Sequence, residues 1–549
     1  MRNLSRRNDI WTVITIGILL IYTVILVYPL FTILKASVLT DGGFSLEYFQ
    51  KFFSKKYYYG TLFNSLQVTI AVALLTIIIA IPLAYIMTTV KIKGHSLLQG
   101  LIIISMMSPP FIGAYSWILL LGRNGIITNF MKDTFNITTP DIYGFTGIVL
   151  VLTLQLTPLI YLYLMGALRN IDNSILQAAE SMGCTKFKKL YKVVVPLLLP
   201  TLLSGALLVF MRALADFGTP MLIGEGFKTI PVLIFNEFIS EMGGDDAFAA
   251  AISVIVIIFA LTVFLIQKFI VNRKAFSMSS LNPIEAKKEK GIKNILAHGY
   301  VYLYVALAFL PQLYVMYTAF LKTSGRIFVK GYSLDSFKIA FERGSDAMLN
   351  TLKIGLIALF FVVVLAILIA YVTVRRRNML TNLLDITSMV PYIVPGSVLG
   401  IALLLSFNKP PLMLSGTVAI IVIAFMIRRL PYTIRSSAAM VYQISPSVEE
   451  ASMSLGASNI KTFFKVTLPI MLPSVISGAI LSWVTIISEL STSILLYTGR
   501  TKTMTVAIYT EVIRGNYGTA AALATILSLV TIISLLLFFK LSGKKEVEI

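Results

Sequence analysis

Twelve stretches of this chain are each apolar over the ~20 residues a helix needs to cross about 30 Å of hydrocarbon, and the charges fall between them. Six lie in the first half, from Trp11 to Leu34, Phe63 to Val90, Leu98 to Leu121, Gly144 to Leu168, Pro196 to Ile223 and Ala247 to Val271. Six lie in the second, from Gly299 to Phe320, Leu352 to Val374, Leu380 to Leu405, Gly416 to Ala439, Pro469 to Tyr497 and Ala520 to Phe539. A chain of 549 residues that is 57% apolar and only 13% charged cannot cover its own surface with polar groups in water. The expectation is an all-α integral membrane protein with twelve transmembrane helices.

Arg2, Arg6 and Arg7 precede the first stretch, as in a secretory signal, but its 24 residues exceed a signal's apolar core of ~7–15, so it reads as an uncleaved span. The net charge of +21 would suit nucleic acid in a soluble protein; in a membrane protein, basic loop residues set orientation. With a cytoplasmic N-terminus, 28 Lys and Arg fall in cytoplasmic segments and 16 in external ones, leaving Arg212 and Lys353 inside spans. Arg375-Arg376-Arg377, Lys287-Lys288 and Lys544-Lys545 are cytoplasmic on this count, so both termini are expected in the cytoplasm and nucleic acid is not an expected partner. A single cysteine, Cys184, excludes an intrachain disulfide. His95 and His298 stand alone at helix ends, so neither a metal site nor a cofactor is expected.

The chain repeats itself. At an offset of 273, Gln177-Ala178-Ala179-Glu180-Ser181-Met182-Gly183 lies over Glu450-Ala451-Ser452-Met453-Ser454-Leu455-Gly456. The same offset superposes Pro158 on Pro431, Pro196 on Pro469, Pro200 on Pro473, Gly205 on Gly478 and the acid Asp216 on the acid Glu489. At 274, Thr229 falls on Thr503 and Glu237 on Glu511; at 286, Asn64-Ser65-Leu66 falls on Asn350-Thr351-Leu352. The second half has lost about a dozen residues from an external loop, Gly122 to Tyr143 against Ser406 to Leu412. Six crossings return a chain to its starting side, so two homologous halves share one orientation and should pack about a pseudo-two-fold axis along the membrane normal. The expected organisation is a first half at residues 1–271, a polar, Lys-rich cytoplasmic linker at 272–294 containing Asn282-Pro283, and a second half at 295–549.

In each half the longest cytoplasmic loop follows the fourth span and reads as a short helix, a turn at Gly and an amphipathic stretch ending in Pro-x-x-x-Pro, from Asp172 to Pro200 and from Ser445 to Pro473. Ala178 and Ala179, or Ala451 and Ser452, are small enough to admit a partner backbone. Gly183 and Gly456 permit a reversal at positive φ that a Cβ would resist. A simpler alternative has these loops lying on the bilayer as basic amphipathic helices.

This pattern, Glu-Ala-Ala then Gly after three residues, resembles the EAA loop of permeases in type I ATP-binding-cassette importers, and both halves carry it. The resemblance implies that a short coupling helix docks in a groove of an ATPase subunit, with Gln177, Ala178, Ala179 and Gly183, and Glu450, Ala451, Ser452 and Gly456, at the contact. Gln177 and Ser452 depart from the pattern without removing the small residues or the Gly. No G-x-x-x-x-G-K-[ST] sequence occurs, so no phosphate-cradling loop for ATP is present. The implied partners are a dimer of ATP-binding-cassette ATPase subunits, an external solute-binding protein and the lipid bilayer of the bacterial plasma (inner) membrane. The chain itself is expected to be no enzyme. The segments Asp216-Phe217-Gly218-Thr219-Pro220, Ser488-Glu489-Leu490-Ser491-Thr492 and Pro391-Tyr392-Ile393-Val394-Pro395-Gly396 further resemble fused ferric-iron permeases; similar fused permeases are associated with thiamine and with phosphonates.

A secondary transporter is the rival of another class, but the loop Lys91-Ile92-Lys93-Gly94-His95 lacks the acidic or Arg-rich signature such carriers place after their second span. An intramembrane enzyme would need convergent nucleophile, base or metal ligands, and no span holds His or Cys. Pro109-Pro110 and Pro391 with Pro395-Gly396 are expected to break the third and ninth spans. Arg428 and Arg429 are read as snorkelling to the cytoplasmic interface from late in the tenth span. Asp216 and Glu489, each 20 residues past the Pro opening its span and so about 30 Å along a helix, are expected near the external ends of the fifth and eleventh spans. A carboxylate is costly in lipid and should face the interior. With Thr219, Ser491 and Thr492 they are the candidates for a solute path or gate. Arg212, one turn before Asp216, offers that acid a local partner; Glu489 has no base within a turn.

Overall fold

The computed structural model describes residues 10–40, 43–107, 110–239, 244–273, 282, 284–325 and 327–542. Hydrocarbon offers no water to an unpaired N–H or C=O, so the apolar stretches satisfy their backbones internally as helices. The first half comprises α1 (Ile10–Val38), α2 (Lys56–Thr89), α3 (His95–Met107), α4 (Pro110–Leu121), α5 (Phe145–Arg169), α6 (Asn173–Ser181), α7 (Leu190–Leu214), α8 (Gly218–Ile223), α9 (Ile230–Phe238) and α10 (Asp246–Arg273). The second comprises α11 (Ile292–Thr318), α12 (Asp335–Arg375), α13 (Met379–Met389), α14 (Gly396–Phe407), α15 (Val418–Gln443), α16 (Pro446–Ser454), α17 (Asn459–Ile487), α18 (Ser493–Leu496), α19 (Met504–Arg514) and α20 (Tyr517–Ser542). An antiparallel hairpin follows the first helix of each half, Leu39–Thr40 with Gly43–Phe44 and Leu321–Ser324 with Ile327–Tyr332, which the apolar pattern did not signal.

Among the described residues, nine helices are long and apolar enough to cross a membrane, or eleven if each of two bent pairs counts once. The bent pairs are His95–Met106 with Phe111–Phe135, at 101°, and Met379–Tyr392 with Gly396–Phe407, at 111°. At the second, Val390–Tyr392 forms one 3-10 turn around Pro391 before Gly396 opens α14, where the break was expected. Pro109 lies outside the described residues. The helix that falls short of the expected twelve is α15, of whose 26 residues every 18-residue stretch contains Arg428, Arg429 and Arg435.

The duplication is visible in the backbone. The ends of α6 and α16 are 273 residues apart at both termini, as are two π-helical turns, Leu190–Val194 and Phe463–Thr467, and the last residues of α7 and α17. Hydrogen bonds repeat too. The Asn64 side chain donates to the Lys228 carbonyl at 3.0 Å, and Asn350 to that of Lys502 at 3.1 Å. Ser65 Oγ accepts from Ile230 N at 2.9 Å, and Thr351 Oγ1 from Met504 N at 2.7 Å.

Within each half the second, fourth and fifth spans pack together, α2 with α5 and α7, and α12 with α15 and α17. The first helix of each half crosses over. α1 packs on α10 of its own half and on α14 of the other, and α11 packs on α20 and on α3 and α4. Trp11 of α1 thereby meets Tyr371 and Phe463 of the second half, at ring separations of 4.5 and 5.0 Å.

Without a hydrophobic drive between helices in lipid, close approach at small residues carries the packing. At Gly478 a Cβ would lie 2.9 Å from both Thr433 Cα and Ser436 Cβ on α15, whereas at Gly205 the nearest atom is 3.6 Å away. Ser436 Oγ donates to the Ser474 carbonyl at 2.6 Å across the same seam. Gly478→Val is therefore expected to destabilise the bundle by about 1–3 kcal/mol, while Gly205→Ala stays near wild type; thermal unfolding of the purified variants in one detergent checks the contrast.

Candidate functional site

The helices α7 and α17 stop at Leu214 and Ile487, two residues before Asp216 and Glu489 respectively, and short helices α8 and α18 follow. A cavity of about 540 Å³ opens between the two halves at this level. Its wall includes Arg212 and Asp216 from the first half and Arg428, Arg429, Tyr432 and Glu489 from the second.

Glu489 is the most enclosed of these groups, its side chain 3% exposed. Arg428 Nη1 donates to one carboxylate oxygen and Arg429 Nη2 to the other. Thr492 adds its backbone N–H to the first oxygen at 3.2 Å, and Arg428 Nη1 also reaches Thr492 Oγ1 at 3.1 Å. The Glu489 carbonyl accepts from Ser493 Oγ at 2.7 Å and Thr505 Oγ1 at 2.8 Å. A Cβ at Gly396 would lie 2.8 Å from both Ser491 Cβ and Thr492 Oγ1 and would crowd Arg428 Nη1, so glycine admits α14 to the cluster.

The reading of Arg428 and Arg429 as snorkelling residues is corrected. They lie at the middle of α15, where a guanidinium cannot reach the headgroups, and they answer Glu489 instead. Their partner belongs to an adjacent helix, so a search within one turn could not find it. Asp216 is also unlike the expectation that Arg212 pairs with it. Its Oδ2 accepts from Thr219 N at 3.0 Å, and Arg212 Nη2 lies 3.4 Å from Tyr432 Oη of the other half. Thr492 N to Glu489 repeats the Thr219 bond at an offset of 273. Ser491 lines the cavity, while Thr219 is fully buried and its hydroxyl finds no acceptor among the described residues.

The loops that follow α5 and α15 form as the residue pattern predicts. Asp172 caps α6 by accepting from Ser174 N at 2.9 Å, and Ser445 caps α16 by accepting from Ser447 N at 3.4 Å. Gly183 and Gly456 take φ of 80° and 88°, the left-handed values a turn here needs. Gln177, Ala178, Glu450 and Ala451 are exposed; Ala179 is buried and Ser452 half-buried, bonded to Thr462. The two helices are held down differently. Leu176 anchors α6, whereas in α16 the matching Glu449 is buried against Arg375 Nε at 3.0 Å and Thr467 Oγ1 at 3.1 Å. The interhalf segment also touches the first loop, Asn173 N donating to the Asn282 carbonyl at 2.9 Å.

Residues that pattern matching overlooked stand beside the glycines. Met182 is 79% exposed and its counterpart Leu455 90%, and one turn or two earlier Ile175 and Val448 are likewise exposed. Apolar side chains left in the open at matched positions of two copies mark a surface that something else covers. The available signal was an apolar residue directly before each turn glycine.

The sequence matches the family described as "binding-protein-dependent transport system inner membrane component" over residues 76–276 and again over 362–545. It is 28% identical to a ferric transport system permease protein of Actinobacillus pleuropneumoniae, over 95% of this chain and 77% of that protein. A putative ferric transport system permease protein of Haemophilus influenzae is also 28% identical, over 88% of this chain and 78% of its own. A putative 2-aminoethylphosphonate transport system permease protein of Salmonella typhimurium is 25% identical over 49% of this chain but 94% of itself.

Removing one member of a buried ion cluster strands the others. Glu489→Gln leaves two facing guanidinium groups uncompensated and is expected to cost about 3–5 kcal/mol, read as a drop in thermal midpoint and in recovered folded protein. Arg428→Met with Arg429→Met and Glu489→Leu, which removes all three charges, should recover much of that loss in the same measurement.

Proposed function

The chain belongs to the family of binding-protein-dependent transport system inner membrane components, and we propose that it is the fused permease of an ATP-driven importer that admits ferric iron handed over by an external binding protein. The observation that carries this reading is the paired cytoplasmic helix and positive-φ glycine, one in each half, within a chain that matches the family twice. The solute is inferred from relatives named as ferric permeases along almost the whole chain. A second solute, a phosphonate, is favoured by the relative named for 2-aminoethylphosphonate, which matches about half of this chain.

On this reading residues 1–271 and 295–549 are two permease units joined by the cytoplasmic linker 272–294. They are related by a pseudo-two-fold axis along the membrane normal, with both termini in the cytoplasm. The α15 helix is the twelfth span: its length suffices, and Glu489 supplies the counter-charge that makes Arg428 and Arg429 tolerable at its middle. The partners are two ATPase subunits, one for each coupling loop, with Met182 and Leu455 as the side chains that enter their grooves. Asp216, Thr219, Ser491 and Thr492 border the solute path. Glu489 acts there by holding α15 and α17 together at the gate.

Coupling is testable at the loops. Gly183→Pro with Gly456→Pro forbids the left-handed turn and is expected to abolish uptake of radioactive iron in cells while the permease remains in the membrane; wild-type uptake would show that these loops do not couple. Met182→Glu with Leu455→Glu should reduce ATPase co-purification at least tenfold, with the permease still monodisperse by size-exclusion chromatography.

A further inference from the structure

The cavity between the halves carries a charge pattern that symmetry does not explain. At the 273 offset, Arg428, Arg429 and Tyr432 correspond to Gln155, Leu156 and Leu159, and Arg212 corresponds to Thr485. All of these line the same space. Each half thus carries guanidinium at positions where the other half does not, Arg212 in the first and Arg428 with Arg429 in the second. With every group ionised, three arginines face two carboxylates, a net charge of +1. Arg428 and Arg429 are committed to Glu489. Arg212 is not committed to any acid among the described residues: its contacts are Tyr432 Oη at 3.4 Å and the Tyr432 ring, 6.0 Å from the guanidinium carbon. Asp216 is bound to Thr219 instead.

A guanidinium within a helical bundle at membrane depth is kept where it meets water and a counter-ion. An acid and a base one turn apart, both on a cavity wall and not joined to each other, leave both signs available to a guest. A bare trivalent cation would meet a wall of like net charge. An oxyanion offers the planar or trigonal oxygens that a guanidinium fork binds best.

We propose that the cavity binds the oxyanion part of the solute through the Arg212 guanidinium, with the Tyr432 hydroxyl beside it and the Asp216 carboxylate facing the solute's cationic part. The solute class is therefore one that carries both: a ferric ion accompanied by an oxyanion ligand, or a phosphonate bearing an ammonium group. The inference deepens the importer reading and rests on it for the identity of the solute, though not for the site.

Binding is measured on the full-length permease in lipid nanodiscs with radiolabelled inorganic phosphate as the probe, at fixed ionic strength. The expected result is saturable binding that Arg212→Gln weakens at least tenfold and Arg212→Lys weakens less, with Tyr432→Phe in between. Should Arg212→Gln fail to fold, the Lys and Phe variants decide the matter by the same ordering. Absence of saturable binding to wild type, or equal affinity in all variants, overturns the site. Competition by ferric citrate or by 2-aminoethylphosphonate separates the two solute sources. Uptake of radioactive iron by cells carrying wild type or Arg212→Gln distinguishes failure of the two readings. Phosphate binding without iron uptake by wild type removes the ferric solute and leaves the site standing. Iron uptake that is equal in both chains removes the site and leaves the ferric solute standing.

Discussion

Charge withdrawn from water between the two halves is the constraint around which the rest is arranged. A guanidinium at the middle of a spanning helix is tolerated when an opposite charge lies against it. Glu489 supplies that charge to both Arg428 and Arg429, joining α15 to the end of α17; Thr492 N–H donates to the same carboxylate, while Ser493 and Thr505 hold the Glu489 main-chain carbonyl. Because the carboxylate sits just past the last turn of α17, holding it fixes where the helix stops and where α18 and α19 begin. Gly396 brings α14 against the same cluster, so the bent pair α13–α14, the junction of α17 with α18 and the arginine-bearing helix meet at one point.

α17 begins just beyond Gly456 and ends at Ile487, two residues before Glu489, a continuous helix of 29 residues. In the first half α7 runs from the loop beyond Gly183 to Arg212 and Asp216. In each half one helix thus runs from the loop to the cavity wall. The crossed first helices, α1 against α14 and α11 against α3 and α4, pack each half against the other. The anchoring differs between loops, apolar at Leu176 and ionic at Glu449 with Arg375. The two copies thus deliver the same geometry through different chemistry.

Much of this was legible in the residues because it is local. Gly183 and Gly456 announce a left-handed turn since glycine has no Cβ to resist it, and the structure places both at positive φ. The repeat offset of 273 carried the boundaries of α6 and α16 to the residue, since caps, turn glycines and helix lengths are set by nearest neighbours along the chain. The break at Pro391 followed from a missing N–H donor.

What the sequence by itself determined is the class of molecule: apolar stretches of spanning length, duplicated, each copy with a short helix ended by a turn glycine and no phosphate loop. What only the tertiary structure decided is how the buried charges pair. Arg428 and Arg429 stand 61 and 60 residues from Glu489, and Arg212 stands 220 from Tyr432. Within one turn Arg212 and Asp216 look like partners, yet they part, because Thr219 takes the acid and the base faces the opposite half. Sequence spacing reports which groups can meet along one helix. Which groups do meet across helices depends on the rotation and depth at which small residues such as Gly478 and Gly396 let the helices close, and that is set by packing over the whole bundle.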